Sequence, residues 1–422
     1  MGRTGYTVTA VLALLAFILG FAGITAGLDL SQPTNPDDLS VIQFAVRPGD
    51  GTSDIATHLQ DDGLIRSAIA FRMAAGSRHL ALPVRPGTYA LSPYMTLDDI
   101  VHQLNTAEPG ALPVQVPLGK ALLDVPPGAR MAQIPDFAGG LTAFHAERFM
   151  AIATSGTLPD GKQLSDSYWF LRAKQPNTVA ALEGYLLPGH YFLDPQSDEV
   201  AVVNALLSAV GEQLCPGPDA NHPEAYLHDQ AQCKAHAATA GPKHASIFSE
   251  MEARFGTTDD VVALYDTLTV ASLVVRLTPN DADAAGVAAV YMNRYQASRT
   301  HKPDPAGDFV ENLDAPATAQ YARDSAATPP VTRWWAPLAG PAGTIASGSP
   351  YNSAVPGHNG LIPGPIAAPT WADVLAVAAA NEAAPSPDYF VTADRCGRAH
   401  FAASLAVFLY TAQKARVGCY SE

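Results

Sequence analysis

Basic residues are few and scattered in this sequence. The 422-residue chain holds 25 Lys and Arg against 40 Asp and Glu, a formal net charge of −15, and its Lys and Arg form no cluster. A surface that tracks phosphates needs clustered cations, so nucleic acid is excluded as a partner class and a neutral polymer fits better. Charge of either sign is thin, at 15% of residues against about 25% in an average soluble domain. Ala, Pro and Gly take up the difference, a compositional bias that decides nothing about chemistry. Cysteine is scarce too, with four residues, and neither a C-x-x-C nor an H-x-x-x-H spacing occurs. His222, His228, His236 and His244 lie near Cys215 and Cys233 without zinc-ligand spacing, so structural disulfides are expected instead. These are Cys215 with Cys233 and Cys396 with Cys419, closed in an oxidising compartment. No cofactor is implied.

One long uncharged run stands at the N-terminus. Thr4 to Leu28 reads TGYTVTAVLALLAFILGFAGITAGL, more than the ~20 residues that cross a ~30 Å hydrocarbon core. A cleaved signal peptide is the competing reading, but the run exceeds the ~7–15 residues of a secretory apolar region and no clear small-x-small cleavage site follows. Arg3 precedes the run and Asp29, Asp37 and Asp38 follow it, which orients the body outside the cytoplasm. The expectation is a single-pass anchor in the lipid bilayer with an extracytoplasmic body.

Beyond a polar linker, Leu30 to Ser40, the pattern is α+β. A strand is expected at Val41 to Val46, helices at Ser53 to Gln60 and Ser67 to Ala75, a strand at Thr88 to Leu91 and a Thr96-capped helix to about Leu104. The Pro- and Gly-containing segment Glu108 to Pro113 closes that unit. Further on, Val114 to Val116 reads as a strand and Leu141 to Ala153, Ser165 to Lys174 and Val200 to Gln213 as helices. Leu182 to Pro188 reads as a turn, and Cys215 to about His244 as a surface insertion. A helix capped by Thr257 or Thr258 runs to Asp266. Leu268 to Leu277 is apolar and buried, and Asp281 or Asp283 caps a helix to about Ala297. His301 to Pro369, rich in Pro, Gly, Ala and Ser and holding Trp334 and Trp335, has the composition of a segment that lines or lids a cleft. A helix at Trp371 to Ala380, a strand at Asp388 to Thr392 and a helix at Ala402 to Lys414 complete the chain.

Three stretches taken together resemble one family. LEGYLLPGHY (Leu182 to Tyr191) is similar to LEGYLFPDTY. ASLVVRLT (Ala271 to Thr278) with NRY (Asn293 to Tyr295) is similar to ASIVEKET followed by NRL. SPYNSAVPGHNGLIPGPIAAP (Ser349 to Pro369) is similar to SPYNTY…GLPPGPIANP. These are signatures of the endolytic murein transglycosylases, the YceG-like family. The resemblance implies an N-terminal transmembrane helix within 1–28, a linker over 29–40, a small LysM-like α+β module over 41–110 opening with Val46 to Asp50, and a larger mixed α+β YceG-like domain over 111–422 with an insertion at about 215–244. It implies peptidoglycan glycan strands as substrate, cell-wall synthases as partners, and a lytic transglycosylase reaction. In that reaction the sugar's own 6-hydroxyl displaces the leaving oxygen to give a 1,6-anhydro end. One carboxyl serves as acid and then base, and no second is needed because no water is activated.

The resemblance places that carboxyl at position 275, which is Val275, and a second Glu at Leu277; only the basic residue between them is kept, as Arg276. Other ionisable family positions fall at Gly189, Asp314, Pro316, Leu118, Ala399 and Phe408, with His400 one step from the first expected His. Glu183, Asn293, Arg294, Tyr351 and Asn352 match, and with Arg276, Gly360 and Pro363 they are the expected substrate-binding set. Glu183 is either a replacement acid or a partner for buried backbone N–H groups. Asp281 and Asp283 read as helix caps before catalysts. Trp334 and Trp335 either stack on sugar rings or pin their loop, and Tyr351 and Asn352 either bond a glycan or shape a turn. Three functions stay open: a transglycosylase with a relocated acid, a non-catalytic glycan-binding or scaffold protein, and a degenerate copy kept for a partner.

Overall fold

The computed structural model describes residues 30–36, 42–47, 50–77, 80, 84–107, 117, 119–215, 227–240, 242–278, 281–300, 312–331, 333–380 and 388–419. The expected membrane helix and the strand at 114–116 lie outside the described residues, as does much of the linker. Among the described residues no helix is long and apolar enough to cross a membrane. The chain divides into two units, Met1–Val114 with Val417–Glu422, and Gln115–Arg416.

The small unit runs β1 (Ile42–Val46), α1 (Thr52–Asp61), α2 (Ala68–Ser77), β2 (Gly87–Leu91) and α3 (Leu97–Thr106). β1 and β2 pair antiparallel with Phe44 opposite Tyr89. The period-two burial of β2 and the helical spacing of Ile55, Leu59, Ile100 and Leu104 bring one set of apolar side chains to a common core with Phe44, Val46, Phe71 and Tyr89. Thr96 caps α3 reciprocally: its hydroxyl accepts from Asp99 N, and Asp99 Oδ2 accepts from Thr96 N at 2.9 Å. Gly63, at φ +70°, follows the end of α1.

The large unit centres on one helix. Its elements are β3 (Ala121–Val125), α4 (Ile134–Phe137), α5 (Ala146–Ser155), α6 (Leu164–Ser167), β4 (Gly189–Leu193), α7 (Glu199–Leu214), α8 (Gln230–Ala240), α9 (Pro242–Phe255), α10 (Asp260–Leu277), α11 (Asp281–Thr300), α12 (Pro316–Ser325), α13 (Trp371–Ala378), β5 (Phe390–Ala393), β6 (Ala399–Ala402) and α14 (Leu405–Ala415). α10 packs on α9, α11, α12 and α13. It is apolar on nearly every face, as a central helix must be. Its buried Thr267, Thr269 and Ser272 return their hydroxyls to carbonyls of the same helix, of Ala263, Tyr265 and Thr269.

Several expected elements change. The capped helix to Asp266 and the apolar run after it are one helix, α10, begun by Asp259, whose carboxylate accepts from Val261 and Val262 N. Ser165 to Lys174 is not a helix beyond α6, because Tyr168 and Phe170 turn inward to the core and Tyr168 bonds Asn204. The segment 215–244 is not a surface insertion throughout. A disulfide joins Cys215 to Cys233, and Leu227, Cys233 and Ala237 enter the main core from α8 and the turn before it. Cys396 and Cys419 carry no free thiol. Asp283 lies in the third position of α11, where its carboxylate accepts from Ala399 N at 2.9 Å and ties β6 to the helix. β3, β4, β6 and α12 carry no sequence expectation at all.

Candidate functional site

Backbone contacts gather the sequence signatures around the C-terminal half of α10. Ser272 Oγ accepts from Ile366 N at 3.1 Å, and Tyr265 donates to Pro363 O at 3.2 Å, so the Gly/Pro run is stitched along the helix. Gly184, at φ +86°, lies so close to Pro365 that a Cβ there would stand 2.3 Å from the proline Cβ. Only glycine fits that crossing. The turn after β3 joins the same cluster, since Gly128 N donates to Ala368 O at 2.9 Å and Ala368 N to Ala129 O at 2.7 Å.

The last turn of α10 presents different residues to its two sides. Val275, 7% exposed, faces the Gly128 turn, where a Cβ would lie 3.9 Å from Val275 Cγ2 and 3.2 Å from Arg276 Nη1. Beside it is a buried charged pair. Glu183 Oε1 accepts from Met131 N at 2.9 Å, and Glu183 Oε2 lies 3.4 Å from both Arg130 Nη2 and Tyr321 Oη. Burial pushes the Glu183 carboxyl above the ordinary glutamate range, while Arg130 and the Met131 N–H pull it back. The Arg130 guanidinium is sandwiched, with Cζ 4.0 Å from the ring centres of both Tyr321 and Trp334. The Arg276 guanidinium lies 4.0 Å over Trp335. Trp335 is buried at φ +64°, held by Trp335 N to Asp324 Oδ2 at 2.9 Å.

On the other side, Leu277 lines a cleft of about 340 Å³ with Tyr291, Arg294, Asp314, Phe390 and Phe408. Its wall is mostly apolar. Asp314 is the carboxylate in that wall, its side chain 54% exposed and its backbone at φ +48°. Burial raises the Asp314 carboxyl, and Arg294, 3.8 Å away, lowers it. Among the described residues of this unit, no three His, Cys, Asp or Glu side chains converge to hold a metal.

The profile of the YceG-like family matches residues 44–414. The chain belongs to the YceG-like family. It is 22% identical over 292 residues to the endolytic murein transglycosylase of Bacillus subtilis, covering 66% of this chain and 66% of that protein. It thus spans about two thirds of the length of that relative. A crystal structure of a yceG-like protein from Listeria monocytogenes matches with a TM-score of 0.43 and 18% identity over 88% of this chain and 99% of the other.

With the family in hand, the marked positions sort into two groups. Leu277, Arg294, Asp314, Pro316 and Phe408 share the cleft, whose charged lining includes Arg294 and Asp314. Arg294 spends its donors on Asn312 O and Tyr389 O, and Asn293 on Asp388 O, which makes both into loop tethers. Asn352 is fully buried and binds Ala342 O, Ile345 O and Ala354 N, a turn-holding role. Tyr351 packs 4.8 Å from Tyr321 and accepts from Val179 N. Gly360 N donates to Ser298 Oγ. His400 is buried with Asp394 at 3.1 Å.

Arg130 and Tyr321 escape sequence reasoning, and a readable signal existed. V-P-x-G occurs twice, at 116–119 and 125–128. The first contains Leu118 and lies largely outside the described residues, whereas the second leads into the site.

Proposed function

We propose that the chain is a membrane-anchored, extracytoplasmic protein of the cell-wall machinery that holds peptidoglycan glycan strands beside α10 without cutting them. The name of its Bacillus relative supplies the substrate class. The observation that carries the absence of cutting is Val275, an apolar side chain where the one acid of a lytic transglycosylase would stand, followed by Leu277. Glu183 does not replace it, being spent on Met131 N and Arg130. Loss of the proton donor removes the ~10²–10⁴-fold that general acid–base catalysis supplies, for both proton transfers at once. The LysM-like reading of the small unit and cell-wall synthases as partners belong to the same proposal.

Full-length protein in detergent, incubated with purified sacculi, should co-sediment with them and release no 1,6-anhydro-muramyl ends above a no-protein control. Such ends would establish a lytic enzyme with a relocated acid. The carboxylate of Asp314 in the cleft wall favours that second reading, and Asp314→Asn would be its first variant. Neither ends nor co-sedimentation would leave a role in partner binding alone. Protease added to intact spheroplasts should remove the body beyond residue 40; full protection overturns the topology.

A further inference from the structure

Around Trp334 and Trp335 the chain assembles buried hydrogen-bond donors without acceptors to match. Arg130 is 2% exposed, yet its Nε and Nη1 meet no acceptor among the described residues; the same holds for Arg276 Nε and Trp335 Nε1. Buried donors gathered in one place are costly unless an acceptor arrives. The two guanidiniums lie on adjacent rings of one dipeptide, each at 4.0 Å. Glu183 touches Arg130 through Nη2 alone, and Arg276 has no ion-pair partner among the described residues. The local balance is one positive charge in excess.

We infer that the Arg130, Arg276 and Trp335 donors form a receptor for a single carboxylate borne on the bound glycan. A guanidinium edge offers two parallel N–H donors that match a carboxylate, which Arg276 can present; Arg130, whose Nη2 is taken by Glu183, adds single donors from Nε and Nη1. A monoanion neutralises the excess charge; a phosphate dianion would overshoot it. Arg276 is part-buried rather than enclosed, so it is the open end of the receptor, and the Gly128 turn leaves its guanidinium no side chain to collide with. This inference rests on the glycan-binding reading above and names the group that is recognised. The carboxylate has two chemical sources on such a strand, the lactyl acid of a muramyl sugar and the free acids of its stem peptide.

Titration calorimetry on the full-length chain in detergent tests it with five probes. These are a GlcNAc–MurNAc disaccharide with a free lactyl carboxylate, its methyl ester, the same disaccharide carrying a stem peptide, neutral chitobiose and acetate. The free acid should bind at least ~10-fold tighter than the ester, a charge-assisted pair's worth. Arg276→Gln should erase the difference between acid and ester, and Arg130→Lys should shrink it. Tight binding of the stem-bearing probe assigns the carboxylate to the peptide; binding of the free acid alone assigns it to the sugar. Equal affinity for acid and ester, with the stem-bearing probe binding no tighter than either, overturns the receptor and leaves glycan binding standing. Acetate binding that Arg276→Gln removes, with no affinity for any sugar, upholds the receptor and overturns the glycan reading. No heat with any probe overturns both.

Discussion

Two segments meet at the end of α10 and have kept different things. On the loop side, Gly184 lies against Pro365, Ile366 is held by Ser272, and the Gly128 turn shares two backbone hydrogen bonds with Ala368. Every one of these residues is fixed by a neighbour at contact distance. On the helix side, positions 275 and 277 hold Val and Leu, where the proposed reading places the missing acids. A carboxyl buried in such a wall costs desolvation, whereas an apolar side chain at the same place does not. The difference teaches that the site's shape and its chemistry are held by separate sets of residues. Shape depends on glycine, proline and satisfied backbone groups.

Gly184→Ala breaks the loop side and should have the largest effect. The residue sits at φ +86°, and the new Cβ would lie 2.3 Å from Pro365 Cβ and 2.5 Å from its Cγ. A proline ring cannot swing away, so backbone strain of about 1–3 kcal/mol adds to overpacking of similar size. Urea unfolding of the full-length chain should show a loss of about 3–5 kcal/mol. A loss under ~1 kcal/mol would mean that the Gly184 crossing is not what fixes the loop.

The same division explains what the sequence reveals. Signature strings with Gly and Pro at fixed positions are legible because their backbone needs are local, and the elements of the small unit follow their periodicity closely. Asp283 reads as a cap because its spacing to a helix start is local, while its bond to Ala399 crosses more than a hundred residues. Arg294 and Asn352 look like ligands from their motifs, yet each is consumed by carbonyls of other segments. β3 and β4 pair across a loop of more than sixty residues, with Leu123 opposite Tyr191, a partnership that neither string announces by itself. Arg130 gains its meaning only from Trp334 and Tyr321, about two hundred residues away.

A carboxylate retained on α10 gives a second, intermediate test. Asp266 is largely buried, 3.9 Å from Arg172, and burial raises its carboxyl to about 6. Its folded pKa exceeds its unfolded value, so the folded state holds the proton more tightly. Stability is highest below about pH 4 and falls as pH rises to about 6, where the ionised form must be kept buried. Such a rise is worth ~3 kcal/mol at most, and partial exposure reduces this to about 2. Unfolding at pH 4.5, 5.5, 6.5 and 7.5 should therefore show Asp266→Asn lacking this portion of the wild-type decline. Parallel pH profiles would remove Asp266 as its source.

Val275→Ala probes the helix side directly and should have the smallest effect. The side chain is 7% exposed and faces Gly128, where no Cβ is present to interlock with it. Removing its two methyl groups forfeits ~1.6 kcal/mol of burial, at about 0.8 kcal/mol per carbon. Alanine recovers ~0.6 kcal/mol, because a β-branched residue is the poorer helix former. The net loss should be about 1 kcal/mol, several times less than at Gly184, with sacculus co-sedimentation unchanged. Val275 packs against a residue without a side chain, whereas Gly184 supports a crossing that admits no Cβ. A loss of 3 kcal/mol or more at Val275 would show that valine has been built into the core there, so that shape and chemistry are no longer separable at the end of α10.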